Sequence, residues 1–401
     1  MGWKEVDICQ LCDSVSETYK GNASEVVLIN TSDVLDGKCL NHEYVPNKKL
    51  KGQFKKTFRK GDILYSEIRP ANKRFCFVDF EPKDYIASTK LMVLRAHEDV
   101  DPQYLYQILR SNDTLTQLQM LAESRSGTFP QITYSELSNI MVNLPSQKAQ
   151  KNIVSILSSL DRKIELNNKI NADLEEMAQA IFKNWFVDFE PFKKGKFVDS
   201  ELGMIPEGWK VGCLGDMGAV VCGKTPSKSN SNYYGGDIPF IKIPDMHGNV
   251  FVESSEDRLT ELGSLSQIKK LIPPYSLMVS CIATVGLVSI NTKPSHTNQQ
   301  INTVIPHNKS ALFYLYQYIK NNEELLKNMG RGGTTTLNVN TRSFSNIRLL
   351  IPSEIALEQF HRVVEGLFKK IELNLHESRT LSTLRDTLLP RLMSGELEVP
   401  E

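Results

Sequence analysis

The sequence predicts an α+β protein with two similar globular domains, each followed by a long helix, and the two helices are expected to pair as an antiparallel coiled coil. Three observations lead to this fold class. Segments of the chain recur at a fixed shift, two long stretches carry heptad spacing, and short β-type segments fill the regions between them. The plan is a pseudo-two-fold internal duplication.

Recurring segments define the duplication. Gly2-Trp3-Lys4 returns 206 residues downstream, and three further segments return at a shift of 207. These segments pair residues 138–140 with 345–347, 145–146 with 352–353, and 163–167 with 370–374. A five-residue identity in register with two others is not expected by chance. The repeated unit is therefore a globular segment followed by a long helix, and its length is far above solenoid periods.

The first helical stretch, residues 145–186, contains no Gly and no Pro after Pro145, and Ser146 is its expected N-cap. With Ile153 at heptad position a, the seam is apolar except at its middle, where Asn167 and Asn171 fall at a and d. At the same shift, the second helix places Asn374 and Ser378 at its own middle.

Matching the two polar layers requires antiparallel helices, with Asn167 paired to Ser378 and Asn171 to Asn374. Buried polar pairs of this kind fix register at some cost in stability. Arg385 would then face Leu160, so its guanidinium would have to reach outward. The alternative is that each helix packs only on its own globular domain. The residues expected in the coiled coil are Leu157, Leu160, Ile164, Asn167, Asn171, Leu174, Leu367, Ile371, Asn374, Ser378 and Leu381.

Composition is that of an ordinary globular protein: 401 residues, 40% hydrophobic and 23% charged, with a net charge of zero. Only local patches can therefore indicate a charged partner. No signal peptide and no membrane-length apolar run is recognisable, so a cytoplasmic location is expected. Seven scattered cysteines fit a reducing compartment. Cys9-Gln10-Leu11-Cys12 lacks a second pair at zinc spacing, so core packing is expected and no metal site is predicted.

Domain boundaries follow from the duplication. The expected segments are a first globular domain (1–145), a central helix (146–190), a linker rich in Lys, Gly and Pro (191–207), a second globular domain (208–351) and a C-terminal helix (352–401).

A basic segment in the first domain is the strongest local signal for a partner. Residues 48–74 carry ten Lys or Arg against Asp62 and Glu67, a local charge of +8, and aromatic residues are interleaved with them. This pattern favours phosphate contacts, although a solvated face has the same composition. The candidate residues are Lys55, Lys56, Arg59, Arg69, Lys73 and Arg74.

Polar loops supply candidates for reading base edges, for which Arg, Thr, Asn and Gln side chains are suited. A loop before each long helix and the turn at residues 296–300 have this composition, whereas the turn at Lys224 is a candidate for a phosphate contact. Plain surface turns are the alternative. The candidates are Arg125, Thr128, Gln131, Lys224, Thr284, Asn298, Gln299, Arg331, Thr334 and Asn338.

Two segments are similar to catalytic patterns but lack a feature that the chemistry needs. Asp62 with Glu81-Pro82-Lys83 has the residue types of a metal-dependent nuclease, but Pro82 would interrupt the strand that such a site needs. Ile272-Pro273-Pro274-Tyr275 is similar to the signature of adenine-N6 methyltransferases. However, Ile272 cannot accept the hydrogen bonds of an amino group, and no glycine-rich cofactor loop accompanies it. The sequence therefore predicts no catalytic residues.

Several segments resemble the specificity subunit of type I restriction-modification enzymes, and the resemblance covers essentially the whole chain. It rests on the two-unit plan and on residues 331–334 (Arg-Gly-Gly-Thr), 351–353, 370–374 and 389–397 (Leu-Pro-Arg-Leu-Met-Ser-Gly-Glu-Leu). The first helix lacks the Leu-Pro-Arg-Leu segment at residues 182–186, which indicates that its end docks differently.

This resemblance implies that each globular domain is a target recognition domain for one half of a split sequence in double-stranded DNA. The helices would be spacers that also dock two methyltransferase subunits and, through them, the restriction and translocase subunits. It further implies a non-catalytic chain without a cofactor of its own, with S-adenosylmethionine, ATP and Mg in the partner subunits. The alternative function is a structural coiled-coil scaffold that joins two protein-binding domains, and a steep salt dependence of DNA affinity would separate the two. As rulers, the helices would leave a non-specific gap of very roughly ten base pairs.

Overall fold

The computed structural model describes residues 3–48, 52–124, 130–331 and 337–399. The chain divides into two units. Unit 1 comprises Met1–Lys163 together with Leu381–Glu401, and unit 2 comprises Ile164–Thr380. Each long helix that the sequence predicts is present and begins in one unit and ends in the other.

Strands and helices of the described residues follow in chain order. The first half contains β1 (Lys4–Asp7), β2 (Cys12–Val15), β3 (Glu25–Ile29), β4 (Val34–Leu35), β5 (Lys38–Cys39), β6 (Tyr44–Pro46), β7 (Phe54–Lys56), β8 (Ile63–Ser66), β9 (Phe75–Phe77), β10 (Tyr85–Ser88), β11 (Leu91–Ala96), α1 (Pro102–Arg110), α2 (Asn112–Ser124), α3 (Tyr134–Ser138), β12 (Met141–Leu144) and α4 (Gln147–Phe186). The second half contains β13 (Phe197–Val198), β14 (Ile205–Pro206), β15 (Lys210–Cys213), α5 (Leu214–Met217), β16 (Gly218–Cys222), β17 (Tyr234–Ile241), α6 (Ile243–Met246), β18 (Phe251–Val252), β19 (Arg258–Leu259), α7 (Glu261–Leu265), β20 (Leu277–Ser280), β21 (Val288–Asn291), β22 (His296–Thr297), β23 (Ile301–Pro306), α8 (Leu312–Asn321), α9 (Glu323–Gly330), α10 (Thr341–Ser345), β24 (Arg348–Ile351) and α11 (Glu354–Met393).

One antiparallel sheet and one mixed sheet form the body of unit 1. One sheet has the strand order β2-β11-β8-β9, and another has the order β6-β3-β10-β7, in which β10 runs parallel to β3. Every residue of β8 and β10 is buried, because these central strands are covered on both faces. Both strands end on a buried serine, Ser66 and Ser88. The segments that follow these serines therefore emerge from the core at defined points.

The core of unit 1 draws on both ends of its chain. Ile153 of α4 and Leu389 and Leu392 of α11 are buried in the same cluster as α1 and α2. Cys12 is also buried there, as expected. Cys9 is exposed, so the expectation of core packing is wrong for this residue. The short 3₁₀ turn that carries Cys9 turns only Ile8 into the core.

Unit 2 is built on a related plan. One sheet has the order β16-β23-β20-β21-β18, and another has the order β19-β17-β22. The end of α4 anchors an aromatic cluster, in which the ring of Phe186 lies 4.7 Å from that of Tyr314 and 4.9 Å from that of Phe360. Phe182 belongs to the same buried cluster. The aromatic residues that replace the Leu-Pro-Arg-Leu segment in the first helix are therefore core residues of unit 2.

Strand register confirms the internal duplication. In unit 1, β1 pairs antiparallel with β12, and Lys4 lies opposite Leu144. In unit 2, β15 pairs antiparallel with β24, and Lys210 lies opposite Ile351. Lys4 and Lys210 are 206 residues apart, and Leu144 and Ile351 are 207 residues apart, which are the shifts of the sequence repeats.

The first long helix begins at the predicted cap, Ser146, and the second begins at the equivalent serine, Ser353. The Ser146 hydroxyl accepts a hydrogen bond from the Ala149 N–H at 3.3 Å, and the Ser353 hydroxyl accepts one from the Ala356 N–H at 3.3 Å. Each serine satisfies one of the amide donors that an N-terminal turn leaves without a partner.

Within unit 2 the two helices pair antiparallel, as the seam predicts. Asn374 Nδ2 donates to Asn171 Oδ1 at 2.8 Å, and Asn167 Nδ2 donates to Ser378 Oγ at 3.2 Å. Asn167 Nδ2 also reaches Glu377 Oε2 at 2.8 Å. All four seam residues are buried, so these bonds fix the register of the helices. The interpretation in which each helix packs only on its own domain is wrong.

Arg385 occupies the seam position in unit 1 that seemed difficult to accommodate. Its guanidinium donates to Asp161 Oδ1 at 2.7 Å, and its side chain is 18% exposed. Arg110 of α1 donates to the other oxygen of the same carboxylate at 2.9 Å. The arginine therefore does not reach into solvent alone. A carboxylate shared with α1 compensates its charge, and the helices are tied to the globular part of unit 1.

Candidate nucleic-acid interface

In unit 2, three segments meet where β20 ends. The Cys281 N–H donates to the Gln300 carbonyl at 2.8 Å, and the Val339 N–H donates to the Cys281 carbonyl at 2.8 Å. The Ala283 N–H donates to the Leu337 carbonyl at 3.0 Å. We call residues 281–284, 298–300 and 337–339 the strand-end cluster of unit 2. It joins the turn before β23, the end of β20 and the segment before α10.

Unit 1 contains the same construction where β8 ends. The Glu67 N–H donates to the Lys90 carbonyl at 3.1 Å, and the Ile132 N–H donates to the Glu67 carbonyl at 2.8 Å. The Arg69 N–H donates to the Pro130 carbonyl at 3.0 Å. Residues 67–70, 88–90 and 130–132 are therefore the strand-end cluster of unit 1. Each hydrogen bond has its counterpart in unit 2, but the side chains at matching positions differ.

A residue with left-handed backbone lies at the same position in both clusters. Arg69 has φ 45° and Ala283 has φ 64°, although neither is glycine. This conformation costs a non-glycine residue on the order of 1–2 kcal/mol, so the surrounding hydrogen bonds must hold it in place. Strained backbone of this kind concentrates at functional sites. Its presence in both units marks the two clusters as candidate sites.

Several predicted residues of unit 2 come together at its cluster. The Lys224 N–H donates to the Thr297 carbonyl at 2.9 Å, and the Thr225 hydroxyl donates to Gln299 Oε1 at 2.6 Å. Thr284, Gln299 and Asn338 are exposed on neighbouring segments, whereas Asn298 is buried. Asn298 has a structural role, because its Oδ1 accepts the Gln300 N–H at 3.1 Å and shapes the turn.

Close backbone approach shapes this part of unit 2. A Cβ atom added at Gly223 would lie 2.1 Å from the Asn298 carbonyl oxygen and 2.3 Å from Thr297 Oγ1. Only glycine lets the strand that ends at Cys222 come this near to the 298–300 turn. Gly223 thus lets the segment that follows it run beside this turn, where Thr225 contacts Gln299.

Unit 1 brings Arg69 and Gln131 together. Ile68 forms an isolated β-bridge to Gln131, just as Ile282 does to Asn338 in unit 2. Arg69 and Lys73 flank a short 3₁₀ turn (Pro70–Asn72), are exposed, and both have left-handed backbone. Lys90 Nζ lies 3.3 Å from Gln131 Oε1 and 3.5 Å from Glu67 Oε2. These residues form one polar surface at the end of β8.

The basic segment divides into exposed and structural residues. Lys55 and Arg59 are exposed and remain available to solvent. Lys56 is different, because its ammonium donates to the Thr89 carbonyl at 3.2 Å and to the Leu91 carbonyl at 2.8 Å, and burial lowers its pKa. Arg74 likewise donates to the Ser32 carbonyl at 3.0 Å. Lys56 therefore supports the backbone at the 88–90 turn, and Arg74 supports the separate segment at residues 32–34.

Some predicted residues lie elsewhere or outside the described residues. Arg331 is exposed and donates to Asn328 Oδ1 at 2.8 Å at the end of α9. The described part of the chain does not include Arg125, Thr128 or Thr334.

Sequence reasoning missed Lys90 and Gln300, which occupy equivalent positions in the two clusters. The available signal was the pair of segments Ser88-Thr89-Lys90 and Asn298-Gln299-Gln300, each followed by a buried strand. Their separation of 210 residues differs from the shift of the obvious repeats.

Asp62 of the nuclease-like pattern is held in a structural ion pair. Arg95 donates to both carboxylate oxygens of Asp62 at 2.8 Å, and these hydrogen bonds raise the pKa of Arg95. Asp62 is fully buried. In the methyltransferase-like segment of unit 2, the Tyr275 hydroxyl donates to Glu372 of α11 at 3.2 Å.

Among the described residues, no group of three or more His, Cys, Asp or Glu side chains is placed to hold a metal ion. No helix in the same part of the chain has both the length and the apolar character needed to cross a membrane.

Comparison with protein families decides the identity. The model of the type I restriction modification DNA specificity domain matches residues 2–176 and again residues 206–381. The chain belongs to this family. The two matches of the specificity-domain family correspond to the two copies of the duplication.

Individual members of the specificity-domain family are similar over most of their length. The chain is 41% identical to the type I restriction enzyme HindI specificity subunit of Haemophilus influenzae, over 98% of this chain and 99% of that protein. It is 29% identical to the MjaIX specificity subunit of Methanocaldococcus jannaschii, over 90% of this chain and 85% of that one. The crystal structure of the type I restriction-modification S subunit from M. genitalium shares the fold, with a TM-score of 0.56 at 14% identity, over 100% of this chain and 97% of the other.

Proposed function

We propose that the chain is the sequence-specific DNA-recognition subunit of a type I restriction-modification complex. Each unit reads one half of a bipartite target. The observation that carries this proposal is the same strand-end framework in both units with different side chains on it. A fixed backbone with exchanged side chains is what two readers of different half-sites require.

The chemistry of each cluster supports base reading. Arg, Lys, Asn and Gln side chains hydrogen-bond the edges of guanine and adenine in the major groove. Lys55 and Arg59, which are exposed in the basic segment of unit 1, supply phosphate contacts that position the DNA without specifying its sequence. Binding therefore weakens as the salt concentration rises.

Catalysis belongs to the partner subunits in this proposal. Two methyltransferase subunits dock on the long helices, and restriction and translocase subunits join through them. S-adenosylmethionine, ATP and Mg are bound by those partners, and the complex works in the cytoplasm. The names of the two relatives above, both specificity subunits of type I enzymes, support this division of labour.

Exchange of one unit's reading residues tests the proposal. Residues 205–350 are replaced by the matching segment of a relative with a different target, and the chimera is expressed with its modification subunits. Mapping of methylated adenines should show one half-site replaced and the other unchanged. The reciprocal exchange of residues 1–145 is the matched control and should replace only the other half-site. A chimera in which both halves change would refute independent reading by the two units.

The alternative, a scaffold that joins two protein-binding domains, predicts no such motif. It also predicts DNA affinity that is weak at all salt concentrations, which a salt titration of the purified complex would reveal.

A further inference from the structure

The turns 88–90 and 298–300 are the same structural element with different side chains. In unit 1 the Lys90 N–H donates to Ser88 Oγ at 3.3 Å, and in unit 2 the Gln300 N–H donates to Asn298 Oδ1 at 3.1 Å. The carbonyls of Lys90 and Gln300 each accept the N–H of the residue after a buried serine, Glu67 in unit 1 and Cys281 in unit 2. Backbone atoms and the first side chain of the turn thus fix both turns. The side chain of the third residue differs between the units: that of Lys90 lies outside this frame, and that of Gln300 contacts it only through the Asn298 amide.

Different neighbouring side chains orient the third residue of each turn, Lys90 in unit 1 and Gln300 in unit 2. Lys90 Nζ lies between Glu67 Oε2 at 3.5 Å and Gln131 Oε1 at 3.3 Å, with 49% of the side chain exposed. These long, exposed contacts orient the ammonium without neutralising it, since exposed ion pairs contribute little energy. In unit 2, Asn298 Nδ2 donates to Gln300 Oε1 at 3.0 Å. The Gln300 amide is thereby oriented while its oxygen keeps a second lone pair.

The residues around Lys90 and Gln300 differ in charge, as Lys90 and Gln300 themselves do. Matching positions hold Glu67 and Arg69 in unit 1 against Cys281 and Ala283 in unit 2. Cys281 is buried, and burial raises the pKa of its thiol to about 11, so it stays neutral. The cluster of unit 1 is therefore charged, whereas that of unit 2 presents amides. A cationic donor suits the paired acceptors O6 and N7 of guanine, and a carboxamide suits the N6 donor and N7 acceptor of adenine.

We propose that Lys90 and Gln300 are equivalent specificity-determining residues, with Lys90 selecting guanine in one half-site and Gln300 selecting adenine in the other. This inference rests on the proposed function, because it assumes that the two units read separate half-sites. It adds which residue of each unit discriminates and for which base.

Reciprocal substitution tests this assignment. Lys90→Gln and Gln300→Lys are prepared in the chain assembled with its modification subunits. Selection from a library randomised in both half-sites, together with mapping of methylated adenines, measures base preference. Lys90→Gln should shift one position of the unit 1 half-site from guanine toward adenine, by roughly 5- to 150-fold in relative affinity. Gln300→Lys should shift one position of the other half-site from adenine toward guanine.

Two further variants separate base reading from charge and from folding. Lys90→Arg keeps a guanine reader at the same place and should retain the original preference. Lys38→Gln, an exposed lysine in the same unit, removes the same charge and should leave every position unchanged. Thermal unfolding of each complex shows whether a variant folds, and if Lys90→Gln does not, Gln300→Lys carries the test.

The outcomes are distinguishable. A Lys90→Gln variant that loses affinity for all sequences by the same factor would show a phosphate contact and overturn the proposal. An unchanged preference at every position in both reciprocal variants would also overturn it. A parent complex with no bipartite motif would instead refute the proposed function itself.

Discussion

Asn374→Ala should destabilise unit 2 by more than the loss of one exposed amide would. Asn374 is 1% exposed, and its Nδ2 donates to Asn171 Oδ1 at 2.8 Å. The substitution leaves this acceptor buried, on a side chain whose Nδ2 already has no hydrogen-bond partner. A buried polar group without its partner costs about 1–3 kcal/mol. Adding Asn171→Ala removes the orphaned group, so the second substitution should cost little. The expected coupling free energy is therefore about 1–3 kcal/mol.

A double-mutant cycle measures this coupling. Urea unfolding gives the stability of each variant, and hydrogen exchange at amides of residues 164–186 and 354–380 assigns the change to unit 2. Asn168→Ala, at an exposed asparagine of α4, the helix that carries Asn171, is the matched control. It should leave stability unchanged or raise it slightly, through helix propensity. If the single and double variants are additive within about 0.3–0.5 kcal/mol, the amides do not form the coupled pair described here.

Three further predictions concern the two units. Gly223→Ala should abolish recognition of one half-site while the other is kept, because the new Cβ would meet backbone oxygen at 2.1 Å. Methylation mapping tests this. Gly366→Ala is the control, because nothing lies within 4 Å of a Cβ added at that position. His296 is fully buried, and burial lowers its pKa from 6.5 to about 4. The unfolded chain therefore binds a proton before the folded chain does, so stability should fall as pH drops from about 6.5 to about 4, by at most about 3 kcal/mol. Urea unfolding of His296→Phe at several pH values in this range should show no such fall in stability. Lys55→Glu with Arg59→Glu should weaken binding to target and non-target DNA alike, and a binding assay that finds a changed sequence preference would contradict it.

The register of the two long helices was predictable, because heptad positions follow directly from the order of residues along each helix. Asn167, Asn171 and Asn374 interrupt apolar seams at matching places, and only one antiparallel alignment lets them meet. A buried amide without a partner is costly, so the alignment that satisfies these residues is strongly preferred. The duplicated strands at both ends of each globular segment were predictable for a similar reason, since their repeats keep a constant shift.

The strand-end clusters were not predictable in the same way. Ser66 and Ser280 are 214 residues apart, whereas Ser88 and its counterpart Asn298 are 210 residues apart. Loops of different length between the strands change the shift, and the change of residue type from serine to asparagine further hides the equivalence. Lys56 looked like a phosphate contact because its neighbours are basic. Its ammonium is held by carbonyls from a distant turn, and such tertiary hydrogen bonds leave no local pattern in the sequence.

Unit 1 is assembled from two segments that are far apart in the chain, and this has a consequence for biosynthesis. Leu389, Leu392 and Val399 are buried in its core, yet the ribosome must first make all of Ile164–Thr380. At about 5–20 residues per second, this delay lasts roughly 10–40 s. During that time the nascent first segment exposes apolar surface that only the last residues can cover. Chain termination before Leu381 should therefore yield an intact unit 2 attached to an aggregation-prone remainder, a natural target for chaperones and proteases.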